Sequence, residues 1–160
     1  MNLRIGHGFD VHRLEKGLKL TLGGIVIPHS KGCVAHSDGD VLIHAICDAM
    51  LGAAAMRDIG FHFPDNSKEY KNIDSKILLN KTYEIIKTKK YEIVNIDSTI
   101  CLQQPKIQQY IPEMIAILAK TLNEDPENIS IKATTTEKLG FVGAEEGVSA
   151  HAVVLLKIIS

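Results

Sequence analysis

Apolar and polar residues alternate over residues 2–13, the two-residue period of a strand with one buried face. A second apolar stretch covers residues 18–28 with a bend at Gly23-Gly24, and the two together predict a hairpin. The period then changes. Residues 41–56 carry Ala, Leu, Ile and Met at most positions, as a long and largely buried helix does. Ser37-Asp38-Gly39-Asp40 precedes them with the Ser-x-x-Asp spacing of an N-terminal cap. Ile77, Leu78, Tyr83, Ile85 and Ile86 recur among polar residues over 74–90, an amphipathic helix that closes on the basic turn Lys87 to Lys90. Residues 91–102 return to strand character, and residues 107–122 are helical through Ile111, Ile115, Leu118 and Leu122. Strands over 128–133 and 148–159 complete the pattern. No repeat or linker divides it, so the expected architecture is one domain of the α/β or α+β class, a mixed sheet covered by helices.

Composition narrows the function classes. The 160 residues are 45% hydrophobic, enough for a core that needs neither disulfides nor a structural metal. Eighteen Lys and Arg against 19 Asp and Glu leave a formal charge of -1, and no basic run is long enough for a nucleic-acid arm. No apolar run approaches the ~20 residues of a membrane span, and the first residues lack the apolar core of a signal peptide. The chain reads as soluble, untargeted and cytoplasmic, with no nucleic-acid or membrane partner. Cys33, Cys47 and Cys101 form no Cys-x-x-Cys pair, which fits buried thiols in a reducing compartment.

Histidine is the unusual residue, with His7, His12, His36 and His44 all in the first 44 positions. In Asp10-Val11-His12 the carboxylate and the imidazole are two apart on a strand and share a face. His44 lies one turn into the capped helix, with Asp40 and Asp48 at i-4 and i+4 on its stripe. Asp10, His12 and His44 can form a three-ligand metal site with an open position, the neighbouring aspartates orienting an imidazole. They can equally be a turn cap, a strand-end surface residue and a satisfied core histidine. Residues 129–133 run into Thr134-Thr135-Thr136-Glu137-Lys138, hydroxyls and a carboxylate that suit phosphate and Mg²⁺, or else a plain cap with Glu137 three residues after Thr134. His36-Ser37 is a cap beside a surface histidine, or a helix start that presents donors to an anion. Gly6-His7-Gly8-Phe9 lacks the third glycine of a dinucleotide loop, and no P-loop or Gly-x-Ser-x-Gly elbow occurs.

The motifs together say more than their spacing. Gly-His-Gly-Phe-Asp-Val-His at 6–12, Ala-His-Ser-Asp-Gly-Asp-Val at 35–41, His44-Ala45, Asp48-Ala49, Leu51-Gly52-Ala53-Ala54, Asp58-Ile59-Gly60, Phe63-Pro64-Asp65, Pro105-Lys106 and Thr-Thr-Thr-Glu-Lys-Leu-Gly-Phe at 134–141 occur in order. The chain thereby resembles the 2-C-methyl-D-erythritol 2,4-cyclodiphosphate synthase family of the non-mevalonate isoprenoid pathway, nearly from end to end. The resemblance implies a homotrimer with three active sites at the subunit boundaries. It makes Asp10, His12 and His44 ligands of one zinc per subunit, and Glu137 the holder of Mg²⁺ or Mn²⁺. It places His36, Ser37 and the turn Thr134, Thr135, Thr136, Glu137 around the phosphates, with His36 and Thr135 stabilising the transition state. Asp58, Ile59 and Gly60 fall at the ribose, and Phe63, Pro64, Asp65, Asn66 and Ser67 form a substrate loop. Leu102, Gln103, Gln104, Pro105, Lys106, Ile107 and Gln108 receive cytosine and, through Lys106, phosphate; Val11 and Phe141 complete the substrate contacts. The implied reaction is cyclisation of 4-diphosphocytidyl-2-C-methyl-D-erythritol 2-phosphate with release of CMP. Two positions depart from the family: Leu102, where many members have a small residue, and Ala144, where an Arg is common. The resemblance puts that Arg at a cavity on the threefold axis, so this chain lacks its cation there.

Overall fold

A computed structural model describes residues 2–66 and 68–159. The strands are β1 (Leu3–Lys16), β2 (Leu20–Leu22), β3 (Ile25–Ile27), β4 (Lys31–Val34), β5 (Tyr91–Cys101), β6 (Ile129–Thr134) and β7 (Gly147–Ile158). The helices are α1 (Val41–Ala53), α2 (Ile59–His62), α3 (Ser75–Lys87), α4 (Ile111–Leu122) and α5 (Gly140–Gly143). Five strands form one sheet in the order β4-β1-β7-β5-β6, while β2 and β3 form a separate ribbon. The sheet is mixed, as expected: β5 and β6 run parallel and the other neighbours antiparallel.

The first hairpin is where pattern and structure part. β1 does not pair with residues 18–28 but lies between β4 and β7. Gly23 and Gly24 both take positive φ, 58° and 82°, so they are the two-residue turn of a hairpin closed on itself, with Leu22 opposite Ile25. Glycine reaches that backbone without the Cβ clash any other residue would meet. The freed edge of β1 is taken by β4, a strand whose four residues show no alternation.

The capping motif also resolves differently. The N-cap of α1 is Asp40, whose fully buried carboxylate accepts from Ile43 N at 3.1 Å and from Gly23 N and Gly24 N at 3.0 and 2.7 Å. One side chain thus satisfies an orphan donor of the helix and staples the β2–β3 turn to it. Asp74 caps α3 through Lys76 N, and α4 begins with Pro112 in its first turn and ends at left-handed Asn123.

Leu42, Ile43, Ile46, Met50 and Leu51 of α1 are fully buried between the sheet and α3. Each contributes about 1.5–3 kcal/mol by leaving water. Among the described residues, helices cover one face of the sheet, in keeping with the expected helix-covered mixed sheet. On the other face Ile5 is 73% exposed, Phe9 46% and Val11 44%. Two of the three cysteines, Cys33 and Cys47, are buried, and burial pushes their thiols up to about 12; Cys101 is half-buried.

Candidate metal centre and its cleft

Asp10 and His12 project from the helix-covered face of β1, opposite Ala150 and Val148 of β7. That face of β1 has no Cβ at Gly6 and Gly8, where α1 passes so closely that an added Cβ would stand 1.9 Å from the carbonyl oxygens of Ala49 and Ala45. This approach brings His44 down onto the strand. Asp10 Oδ2 lies 3.0 Å from both His12 Nε2 and His44 Nδ1, and the two imidazole nitrogens are 3.2 Å apart. A tetrahedral ion bound at the usual zinc distances holds its ligand atoms about 3.3 Å apart. The three residues therefore fit a divalent metal with one position left for a ligand.

Burial lifts the Asp10 carboxyl, but the hydrogen bonds and charges of His12 and His44 outweigh it and hold the group well below the usual carboxylate range. Burial likewise lowers His44, while Asp10 beside it more than compensates and raises it. A proton and a cation thus compete for one cluster, and metal affinity falls as pH drops.

The expected orienting aspartates are occupied elsewhere. Asp40 caps α1, and Asp48 accepts from Ile59 N at 2.7 Å, fastening α2 to α1. His44 is instead oriented by Ser75, the first residue of α3, whose Oγ lies 3.0 Å from Nε2, with Ser37 Oγ at 3.2 Å. Ser75 gives its only hydrogen to Asp38, so its oxygen accepts from Nε2–H, and the neutral imidazole that a metal requires has its Nδ1 lone pair toward Asp10 and His12. Sequence reasoning missed Ser75 and Asp38. Asp38 stood in a motif taken for a cap, and Ser75 follows the Asp74 that does cap its helix, so neither carried a distinctive spacing. Replacing Ser75 by Ala is expected to lower zinc affinity about 10–100-fold with little change in melting temperature, measured by competition with a chelator. An unchanged affinity would leave Ser75 a packing residue.

The cluster lies in the wall of a cleft of about 380 Å³ that also has His36, Ser37, Ile59, Gly60, Phe63 and Asp65 in its lining, together with Tyr70, Ile73 and Leu78, none of which the sequence marked as a site residue. Asp58 is the N-cap of α2 at its edge, and exposed Pro64 and Asn66 flank Phe63 and Asp65. Ser67 lies outside the described residues. Val11 points to the uncovered face, away from Asp10 and His12.

The remaining expected residues gather elsewhere. Leu102, Gln103, Pro105, Lys106, Ile107 and Gln108 line a second cleft of about 230 Å³ with Thr134 and Thr135, because parallel pairing of β5 and β6 delivers both segments to one end of the sheet. Gln104 is exposed beside them. Thr134 ends β6 and caps no helix: Thr135 Oγ1 accepts from Glu137 N at 3.4 Å, Thr136 donates to Leu139 O, and α5 begins only at Gly140. Glu137 is exposed with φ at 53°, and Phe141 covers Gly147 of β7. Val11, Ser149, Cys101 and Thr134 occupy one row of the sheet, so the two clefts of one chain stand three strand spacings, about 14 Å, apart.

The fold thus carries a three-residue cluster that fits a divalent metal to the wall of a cleft. The YgbB family matches over residues 3–157, and the chain belongs to that family. It is 63% identical over 156 residues to the 2-C-methyl-D-erythritol 2,4-cyclodiphosphate synthase of Bacteroides fragilis, covering 98% of each chain. It is 61% identical to that of Bacteroides thetaiotaomicron, covering 98% of this chain and 99% of the relative. Among solved structures, the CDP complex of IspF from Plasmodium falciparum matches with a TM-score of 0.86 at 36% identity, covering 99% of this chain and 98% of that one. The bifunctional IspDF of Campylobacter jejuni matches at 0.95 and 42% identity; this chain spans 43% of it.

Proposed function

We propose that the two clefts are halves of one active site, in which Asp10, His12 and His44 hold zinc, one ion per subunit, and Glu137 holds Mg²⁺ or Mn²⁺ with the substrate. The enzyme is a lyase of isoprenoid precursor biosynthesis that converts 4-diphosphocytidyl-2-C-methyl-D-erythritol 2-phosphate to 2-C-methyl-D-erythritol 2,4-cyclodiphosphate and CMP. An oxygen of the 2-phosphate forms a bond to the β-phosphorus, and the bond from that phosphorus to the bridging oxygen breaks. CMP departs with the electron pair.

No protein nucleophile is required, so the work of the chain is to bring two anions together in line. The metals supply positive charge that neutralises and orients the phosphate oxygens. On this reading His36 and Ser37 of the first cleft, and Thr134 and Thr135 of the second with Thr136 next to them in the chain, surround the phosphates, His36 and Thr135 acting as charge is redistributed. Asp58, Ile59 and Gly60 take the ribose. The backbone of residues 102–108 takes cytosine, with Lys106 on phosphate.

The observation that carries this reading is the Asp10–His12–His44 triangle set in the wall of a cleft that also holds His36, Ser37, Ile59, Gly60, Phe63 and Asp65 of the motifs on which the resemblance rests. Incubation with the substrate followed by phosphorus NMR is the direct test: CMP and a cyclic diphosphate are expected. Inorganic phosphate would instead make the protein a zinc-dependent phosphatase, and bound nucleotide without turnover a binding module. Glu137→Gln is expected to keep zinc and to lower turnover about 10²-fold, partly restored by added Mg²⁺, because the amide keeps the shape and loses the charge a hard cation needs. A large fall in melting temperature with unchanged Mg²⁺ dependence would make Glu137 structural.

Two features support assembly as a homotrimer. The uncovered sheet face is a surface that needs a neighbour. Reacting atoms must come within about 3.5 Å, and clefts about 14 Å apart on one chain cannot serve one pair of phosphates. The site is then built from the metal half of one subunit and the Thr135 half of the next. Coassembling equal amounts of His44→Ala and Thr135→Val subunits, each nearly inactive alone, should restore about a quarter of the sites. A mixture no more active than its parts would show that each chain completes its own site.

A further inference from the structure

His7 belongs to the sequence motif at 6–12, yet it takes no part in the cluster of Asp10, His12 and His44. Its side chain leaves β1 on the opposite, uncovered face. There it meets His151 of β7. Across the ladder His7 is opposite Val153 and His151 opposite Phe9, so the two histidines are diagonal neighbours on one face, within reach for long side chains. His151 Nδ1 lies 3.4 Å from His7 Nε2, and the rings are tilted by 34° with centroids 5.6 Å apart. The Phe9 ring packs against His151 at 4.8 Å and restricts its rotation.

We propose that His7 and His151 form a second metal site, a two-imidazole chelate for a divalent transition metal ion on the uncovered face of the sheet. Two imidazole nitrogens on one ion, each about 2.0–2.1 Å from it, stand about 3.3 Å apart in tetrahedral geometry and about 2.9 Å apart at right angles, so the pair needs a shift of at most about half an ångström to close on it. Without metal, one nitrogen of the pair carries the shared hydrogen. On binding, that hydrogen moves to the far nitrogen of the same ring, and both near lone pairs are donated to the ion.

The surroundings select the ion. Neutral imidazoles favour Zn²⁺, Cu²⁺ and Ni²⁺, whereas Mg²⁺, Mn²⁺ and Ca²⁺ require oxygen ligands. Phe9 and Val153 beside the pair offer none. Asp97 shares the row of His7 across β7, but Lys132 holds its carboxylate at 2.6 Å. The chelate needs one subunit only. On the homotrimer reading three such pairs share the face that subunits turn toward one another, so metal bound there would also tie subunits together.

The test is calorimetric titration of the zinc-loaded protein with NiCl₂, with bound zinc measured in the same samples. Wild type is expected to bind Ni²⁺ without losing zinc. His7→Gln and His151→Gln should each weaken binding on the order of a hundredfold, because a chelating second ligand acts at high effective concentration. The double variant, left with no imidazole at the pair, should show no Ni²⁺ binding there. Absence of Ni²⁺ binding by wild type, wild-type affinity in either variant, or small losses that add in the double variant would each overturn the proposal. Oligomeric state, followed separately by light scattering, bears on the shared face and not on the chelate.

Discussion

Replacing His44 by Ala should produce a folded protein that purifies almost without zinc and turns over about 10³-fold more slowly, or less. Two protein atoms, Asp10 Oδ2 and His12 Nε2, remain after the substitution, and an open site that starts with three has none to spare. The loss of rate follows because the positive charge that meets the phosphate oxygens leaves with the ion, and one such interaction is worth about 10²–10³ in turnover. Folding survives because the rest of α1 carries the burial: its imidazole lines the cleft, whereas Leu42, Ile43 and Ile46 are fully buried. Asp10→Ala should behave in the same way. Elemental analysis decides the matter: one zinc per chain in purified His44→Ala would refute the ligand assignment.

Gly8→Ala is expected to damage both stability and activity although residue 8 touches no substrate. The added Cβ would meet Ala45 O at 1.9 Å and Ala49 N at 2.7 Å, and both belong to the backbone of α1, so no side chain can swing away. The helix must retreat by about 1.5 Å to restore ordinary contact. Overpacking on that scale costs about 3 kcal/mol. The displacement also carries His44 away from Asp10 and His12, and a misplacement of about 1 Å can cost 10²-fold in rate. Urea unfolding read beside zinc affinity and turnover separates the two effects. Wild-type zinc affinity in a destabilised Gly8→Ala protein would mean that the cluster does not depend on the approach of α1 to β1.

The long periodic elements were legible because their burial is uniform. α1 is buried on nearly every position, and β7 alternates over the core, so local pattern and tertiary environment agree. The strand β4 was not legible: Lys31, Gly32, Cys33 and Val34 gain strand geometry only from the edge of β1, a contact about twenty residues distant. The pairing of β1 with 18–28 failed because Gly23-Gly24 was read as a bend, when a pair of glycines between short apolar runs is itself a hairpin turn. Asp10, His12 and His44 could be placed from strand and helix periods, and the fold brings them together. The partners of His44 could not, because Ser75 and Asp38 reach it through the packing of α3 against α1, which no local spacing records. The two clefts were legible as motifs but not as separate places, since their distance depends on strand order.

Asp48 gives the metal-lined cleft a further property. The same helix that supplies His44 holds, one turn later, the backbone of Ile59, which with Gly60 lines the same cleft. His44 and the Ile59–Gly60 part of the wall are therefore fastened to the same helix. The entropy of fixing them relative to each other is lost when the chain folds, not when a molecule enters, so binding energy is not drained by ordering that wall. That part of the wall is accordingly preorganised by α1 and α2 before any molecule enters.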